Sequence, residues 1–200
     1  MYKKILVRLI LMLAVVGLLA ACGGGATQQT GASDSGTAVD EPMEGMDQSE
    51  MASGDVPFDA QFIDGMIEHH QGAVMMAEQA LEESERPEIR ELSQTIIATQ
   101  QVEIQQMTAW RDAWYPDLPA SEGMAMDMGQ MTVSDDTSLP FDQRFLTAMI
   151  SHHQGAIEMA RAAQEQAEHA ELRTLAEEII TAQEAEIAQM QAWLSEWYGV

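Results

Sequence analysis

Cysteine, basic residues and aromatic residues are all scarce in this chain of 200 residues. A single cysteine excludes an intrachain disulfide, a thiolate metal cluster and a CxxC redox pair, so any soft-metal chemistry must come from histidine and methionine. Only 9 Lys and Arg stand against 33 Asp and Glu, and a net charge of -24 makes binding to a nucleic-acid backbone unfavourable. Gly and Pro are few outside recognisable stretches, which favours helices over a β-sandwich or barrel.

The N-terminus has the features of an export signal over residues 1–21, where three basic residues precede an apolar run at 9–19. The run is too short for a comfortable membrane span. The sequence Leu19-Ala20-Ala21-Cys22 resembles the bacterial lipobox, whose cysteine becomes the lipidated first residue of the mature chain. We therefore expect Cys22 to carry a lipid that anchors an exported protein to a membrane of the bacterial envelope. The alternative is an ordinary cleaved signal with an incidental cysteine.

Residues 22–56 consist mainly of small, polar and acidic residues. Their large apolar residues are almost confined to Met43, Met46 and Met51, so this segment cannot bury a core. It is predicted to be a disordered tether between the lipid and a folded domain.

The rest of the chain contains an internal repeat. Residues 57–116 align without a gap on residues 140–199, and 30 of the 60 aligned pairs are identical. Both copies contain Met-Ile-x-His-His-Gln-Gly-Ala, at residues 66–73 and 149–156. One structural unit has thus been duplicated, with a polar, Met-containing linker at 117–139 between the copies.

Each copy is predicted to be a helical hairpin, because apolar residues recur at helical spacing on both sides of a short polar interruption. Pro87 follows that interruption in the first copy and suits the first turn of a new helix. Two hairpins packed together can bury apolar helix faces that one hairpin alone would leave exposed. The predicted fold is therefore all-α, a four-helix bundle built from two duplicated hairpins. The topology stays open, as does packing or swapping of hairpins between chains in a homo-oligomer.

A helical wheel places both histidines of the first copy, His69 and His70, on the apolar face of the first helix. On the second helix, Gln100 and Glu103 share the apolar arc, and folding the hairpin back brings His69 level with Glu103. Histidine, carboxylate and thioether groups are therefore predicted to converge in each hairpin. The candidate metal ligands are Met66, His69, His70, Met76, Met107, Met149, His152, His153, Met159 and Met190. The candidate supporting or additional ligands are Gln100, Glu103, Gln183 and Glu186.

Imidazole and thioether without thiolate form a soft ligand set that suits Cu(I). Burying so many polar groups is costly unless they are hydrogen-bonded or coordinate a metal. Glu103 and Glu186 would then fix the tautomers of the histidines. The competing interpretation makes the methionines core filler and the histidines core groups satisfied by Glu103 and Gln100.

The linker adds four methionines within a polar stretch in which no core is expected. These are the candidates for auxiliary metal capture, Met124, Met126, Met128 and Met131. Tolerated composition and sacrificial oxidation are the alternatives for this segment. The paired tryptophans at the far end of each hairpin are expected to pack, and no function is assigned to His169, which takes the place of Arg86 in the second copy.

The motif Phe58-Asp59-x-x-Phe62, continuing through His69-His70-Gln71 to Met76-Ala77, resembles the exported domain-of-unknown-function family 305. Gln100-x-x-Glu103, Met107 and Trp110 extend the resemblance in the first copy, and the second copy matches from Phe141 to Trp193. The family is similar to ferritin-like helical bundles, and its best understood members are periplasmic copper-binding proteins of the CopM type. The resemblance implies that the His and Met of the signature are ligands for Cu(I) or Ag(I).

These observations predict an envelope protein that sequesters or buffers Cu(I) or Ag(I) for copper tolerance or homeostasis. It needs no organic cofactor and is not expected to be an enzyme. A ferritin-like metal-dependent oxidase is the first alternative, although di-iron bundles use more inward carboxylates than this chain offers. A metal-free interaction module is the second.

Overall fold

The computed structural model describes residues 56–124 and 126–200, so the predicted signal, Cys22 and the tether up to residue 55 lie outside the described residues. Four α-helices make up the fold: α1 (Phe58–Glu83), α2 (Pro87–Trp114), α3 (Phe141–Gln166) and α4 (Ala170–Tyr198). At 1.5 Å per residue, helices of 26 to 29 residues are roughly 40 Å long. No described helix is long and apolar enough to cross a membrane.

Proline and short connections set the helix boundaries. Pro87 lies in the first turn of α2, as predicted, while Pro57 and Pro140 immediately precede α1 and α3. Three residues join α1 to α2, and three join α3 to α4. Connections this short force consecutive helices to run antiparallel, so each copy of the repeat is a hairpin.

The two hairpins associate through α1 and α3, which pack against each other in addition to packing on α2 and α4 respectively. Phe62, near the start of α1, shares an apolar cluster with Ala163, near the end of α3. The helices α1 and α3 therefore run antiparallel, and the hairpins face each other about an approximate two-fold axis. The predicted all-α fold of two duplicated hairpins is confirmed, and within this chain the hairpins pack together.

The buried apolar residues form two clusters. The first cluster combines the beginning of α1, the end of α2, the later part of α3 and the beginning of α4. The second cluster reverses these roles. The four histidines of the repeated motif lie at the junction, at positions 69, 70, 152 and 153. The repeat thus folds into two equivalent apolar halves around a polar middle layer.

The linker between the hairpins is irregular but packed, contrary to the expectation of exposed methionines. Met124, Met126 and Met128 are partly buried against the first apolar cluster, and Val133 is buried in the second. The segment crosses α1 and α3 closely, because the glycines at positions 65 and 155 leave room for its backbone. The packing of the linker was not predictable from its largely polar composition, because a few methionines and one valine are enough to anchor it against the helices.

Each end of the molecule is closed by a contact between hairpins. The Trp114 ring stacks on the His169 imidazole, with centroids 3.7 Å apart, and His169 Nδ1 lies 2.7 Å from Asp59 Oδ2. At the other end, the Arg86 guanidinium lies 4.3 Å from the centroid of the Trp197 ring and pairs with Asp142. Packing of the tryptophans was predicted, whereas their partners on the opposite hairpin were not.

Candidate metal centre

All four histidines of the repeated motif are completely buried, as the helical wheel predicted. They occupy the middle of α1 and α3 at His69, His70, His152 and His153. Neighbouring residues on an α-helix point about 100° apart, so the two histidines of each pair face different neighbours. One histidine of each pair faces the second helix of its own hairpin, and the other faces the opposite hairpin.

The histidines that face their own hairpin are His70 and His153. His70 Nε2 lies 2.7 Å from Glu103 Oε2, and His153 Nε2 lies 2.7 Å from Glu186 Oε2. The sequence placed Glu103 level with His69 instead, because it could not fix the register of the hairpin to within one residue. A carboxylate accepts its hydrogen bond, so Nε2 of each ring carries a proton, and in the neutral form of the ring the lone pair is on Nδ1.

The histidines that face the opposite hairpin are His69 and His152, whose ring centroids are 3.7 Å apart. His69 Nε2 lies 3.0 Å from the carbonyl oxygen of Met128 in the linker, and Nε2–H therefore donates a hydrogen bond to that oxygen. Neither ring nitrogen of His152 has a hydrogen-bond partner among the described residues. Histidines at equivalent positions of the repeat thus have different surroundings.

Burial keeps this central pair neutral. Desolvation, helped by the neighbouring His70, lowers the pKa of His69 from 6.5 to about 4, although the Met128 carbonyl opposes the shift. Desolvation, helped by the neighbouring His69, His153 and His70, lowers the pKa of His152 to about 2. The nearby backbone of His69 opposes this shift and raises the pKa of His152. It does not form a hydrogen bond of normal geometry with either nitrogen of the His152 ring. Neutral imidazole is the form that binds metal ions.

Several buried polar atoms in this layer lack a partner among residues 56–124 and 126–200. They are His69 Nδ1, His70 Nδ1, His152 Nδ1 and Nε2, His153 Nδ1, Gln100 Oε1 and Gln183 Oε1. Leaving a buried polar atom unpaired costs roughly 1–3 kcal/mol, so such a group calls for an explanation. Five ring nitrogens with unpaired positions fit a layer that holds metal ions. The purely structural interpretation, with every histidine satisfied by Glu or Gln, does not describe this layer.

The predicted methionine ligands are all buried but are grouped differently from the prediction. Met66 and Met107 of the first copy join Met159 of the second in one apolar cluster. Met149 and Met190 of the second copy join Met76 of the first in the other. The antiparallel packing of α1 on α3 explains the exchange, because it brings the end of each helix to the beginning of the other. Each set of thioethers is therefore shared between hairpins.

In the described part of the chain, carboxylate side chains do not form a preformed metal-binding site with the buried histidines. Among the residues that the structure describes, no three His, Cys, Asp or Glu side chains come close enough to hold one ion. Glu103 and Glu186 line a narrow cleft between α2 and α4, together with Gln100 and Gln183. The soft donor atoms of this region are the imidazole nitrogens of the layer and the methionine sulfurs of the two apolar clusters beside it, and Cu(I) prefers donors of these two kinds.

Residue patterns alone missed two parts of this centre. The first is the Met128 carbonyl, which has no signature in a side-chain pattern. The second is the pair of glycines in the repeated motif, Gly72 and Gly155, against which the linker packs. Both copies of the repeat have a glycine directly after His-His-Gln, and this shared glycine was the available signal of a close approach.

The fold and this layer define a class: an all-α protein of two duplicated hairpins with buried histidines and methionines at their junction. The family model of DUF305, a domain of unknown function, matches residues 14–111 and 59–194, and the chain belongs to this family. The predicted family resemblance is thereby confirmed.

Solved structures support the same fold. The chain is 39% identical to CopM in its Cu(I)-bound form, with 70% of this chain and 97% of that chain covered and a TM-score of 0.61. CopM also matches in Cu(II)-bound and Ag-bound forms. A DUF305 protein of Streptomyces coelicolor is 30% identical over 70% of this chain and 92% of its own, with a TM-score of 0.62. A comparison with curated proteins found no match.

Proposed function

We propose that this chain is an exported, lipid-anchored protein that binds and buffers Cu(I) or Ag(I) in the bacterial envelope. The ligands in this proposal are the four buried histidines and the methionines of the two apolar clusters. The proposed role requires capture and release of the ion, and no catalysis. Lipidation of Cys22 would keep the bound metal at a membrane, and the mass of the N-terminal peptide tests it.

One observation carries this proposal, the layer of buried imidazoles with unpaired ring nitrogens. In His70 and His153, the glutamate accepts a hydrogen bond from Nε2–H, which leaves Nδ1 available to a metal in the neutral ring. In the central pair, a low pKa removes competition by protons. The central pair can therefore bind a metal near neutral pH without first losing a proton from an imidazolium.

The chemistry of the donors favours a monovalent soft ion. Thioethers are neutral, soft ligands that select Cu(I), whereas Cu(II) and hard ions prefer nitrogen and oxygen. Six buried methionines lie on the two sides of the histidine layer. The similarity to CopM supports the metal, because that protein has been solved with Cu(I), Cu(II) and Ag bound. Cu(I) and Ag(I) are the ions we propose for this chain.

A competition titration tests the proposal. The protein is purified in the form the cell makes, and Cu(I) is divided between it and a chelator of known affinity. The triple variant Met66→Leu, His69→Ala, His70→Ala should bind Cu(I) more weakly than the wild type. Met75→Leu is the matched control, because Met75 is 60% exposed on the outer face of α1. Equal binding by wild type and triple variant would end the proposal.

Two further measurements separate the other candidate functions. A metal-free interaction module would show no change of melting temperature on adding Cu(I), whereas binding to the folded state raises it. A metal-dependent oxidase would consume oxygen after addition of Fe(II), faster than buffer alone. Sequestration predicts a raised melting temperature and no extra oxygen consumption.

A further inference from the structure

The linker crosses the interface of α1 and α3 once, so it breaks the symmetry of the central histidine pair. Over His69 it places the backbone carbonyl of Met128, which accepts a hydrogen bond from Nε2–H, with nitrogen and oxygen 3.0 Å apart. Near His152 it places the side chain of Met131 instead. Duplication made the two histidines equivalent in sequence, and the linker makes them different in chemistry.

Gly72 creates the space in which His152 and Met131 approach each other. A methyl group on Gly72 would lie 3.2 Å from His152 Nε2, 3.4 Å from Met131 Sδ and 2.6 Å from Met131 Cε. Because His152 Nε2 and Met131 Sδ both lie within 3.4 Å of this methyl position, the distance between the two atoms is at most twice 3.4 Å. Met131 has three flexible side-chain bonds, and rotation about them can turn its sulfur toward the imidazole.

His152 is the histidine best prepared to accept a ligand. Its ring is fully buried, and neither nitrogen has a partner among the described residues. The equivalent nitrogen of His69 is occupied by the linker carbonyl, and those of His70 and His153 by glutamates. His152 Nε2 is thus the one Nε2 of the layer that no described group occupies.

We propose that His152 Nε2 and Met131 Sδ form a binding site for one Cu(I) or Ag(I) ion at the interface of the hairpins. This inference rests on the proposed function and names one specific site within it. Nitrogen and thioether sulfur as a pair satisfy a soft monovalent ion. Two metal–ligand bonds of roughly 2 Å each span about 4 Å, and rotation of the Met131 side chain would bring its sulfur to that distance from His152 Nε2. The linker is then part of the metal centre, and the two halves of the repeat are no longer interchangeable.

Two anchors hold Met131 at this place. Before it, Asp64 accepts hydrogen bonds from Arg111 and from the backbone and side chain of Ser121, which fixes the beginning of the linker on α1. After it, Val133 is buried in the second apolar cluster. The second copy has Thr147 and Leu194 at the positions of Asp64 and Arg111, so this clamp belongs to the first hairpin alone. Anchored ends reduce the loss of conformational entropy when the thioether binds a metal.

Nuclear magnetic resonance tests the site directly, with the protein labelled with ¹⁵N in its histidines and titrated with Ag(I). We expect the Nε2 resonance of His152 to shift as the site fills, while the Nε2 resonance of His69 keeps its hydrogen-bonded position. Met131→Leu should weaken this site by more than about tenfold, because even a lost supporting group costs about that much. Met75→Leu is the matched control, because Met75 is 60% exposed on the outer face of α1.

Gly72→Ala provides a second variant that leaves both ligands in place. Its methyl group would displace Met131 from His152, so Ag(I) should bind the site more weakly although both ligands are present. A wild-type protein that binds no Ag(I) at all would overturn the proposed function. Binding of Ag(I) with an unmoved His152 Nε2 resonance, and with equal affinity in Met131→Leu, would overturn the His152–Met131 site alone.

Discussion

At the scale of single residues, the buried histidines are the feature that sets this chain apart from an ordinary helical bundle. The sequence predicted their burial correctly, because the helical wheel depends only on positions along one helix. It did not predict their partners. Glu103 pairs with His70 and not with His69, since a register error of one residue rotates a helix by 100°.

The central histidines make the stability of the metal-free protein dependent on pH. The pKa of His152 falls to about 2 in the folded state, whereas in the unfolded chain it is near its ordinary 6.5. Below pH 6.5 the unfolded chain therefore binds a proton that the folded chain excludes. The contribution of each such histidine to the free energy of unfolding is fully present above that pH. It is lost as the pH falls, by at most about 1.4 kcal/mol per pH unit.

Replacing His152 by glutamine should remove its share of this dependence. Between pH 6.5 and 5, the free energy of unfolding of the wild type should fall by about 2 kcal/mol more than that of His152→Gln. Urea unfolding of both proteins in the presence of a chelator measures the difference. Identical pH profiles would mean that His152 is protonated, or in contact with water, in the folded protein.

At the scale of secondary-structure elements, periodicity predicted the helices well and the linker poorly. Proline and apolar spacing marked α1 and α2, and the repeat carried the same boundaries to α3 and α4. The apolar residues of the linker have no regular spacing, so the path of its backbone against Gly65 and Gly155 was not predictable from its polar composition. Its four methionines are partly buried rather than exposed, although their role in metal capture stays a prediction.

The close approach of the linker predicts different outcomes for two equivalent glycines. A methyl group on Gly155 would lie 2.7 Å from the backbone carbonyl carbon and oxygen of Met128, whereas on Gly72 its nearest neighbour is the flexible end of Met131, with His152 Nε2 at 3.2 Å. We expect Gly155→Ala to destabilise the protein by about 1–3 kcal/mol, because backbone must shift. Gly72→Ala should cost less than Gly155→Ala, because the Met131 side chain can move and because alanine favours a helix by up to about 1 kcal/mol over glycine.

Urea unfolding of the metal-free variants makes this comparison. The two substitutions are at equivalent positions of the repeat, so each is the control for the other. Equal effects would show that the linker does not lie against α3 as described.

At the scale of the whole molecule, duplication gave two similar hairpins, and their contacts are asymmetric. Aligning the two copies revealed the repeat, but it did not predict that each apolar cluster contains methionines from both hairpins. That arrangement depends on the antiparallel packing of α1 on α3. The two ends also differ. Buried Asp59 accepts hydrogen bonds from the backbone of Glu168 and His169 and contacts the His169 ring, while the ion pair of Asp142 with Arg86 is partly exposed.

Docking of the hairpins should therefore depend more on Asp59 than on Asp142. Asp59→Ala leaves two backbone N–H groups at the start of α4 without their acceptor and should cost about 3 kcal/mol. Asp142→Ala, its matched control, should cost at most about 1 kcal/mol, because Arg86 is 42% exposed. Thermal unfolding measures both. A larger loss for Asp142→Ala would contradict the described asymmetry.

The central claim is that the histidine layer between the hairpins holds a soft metal ion. A crystal of the protein soaked with Ag(I) or Cu(I), with data collected for anomalous scattering, tests that claim most directly. Peaks within bonding distance of ring nitrogens of the buried histidines, with methionine sulfur as a further ligand, are the predicted result. Peaks confined to surface carboxylates and exposed methionines, with the buried layer unchanged, would contradict it.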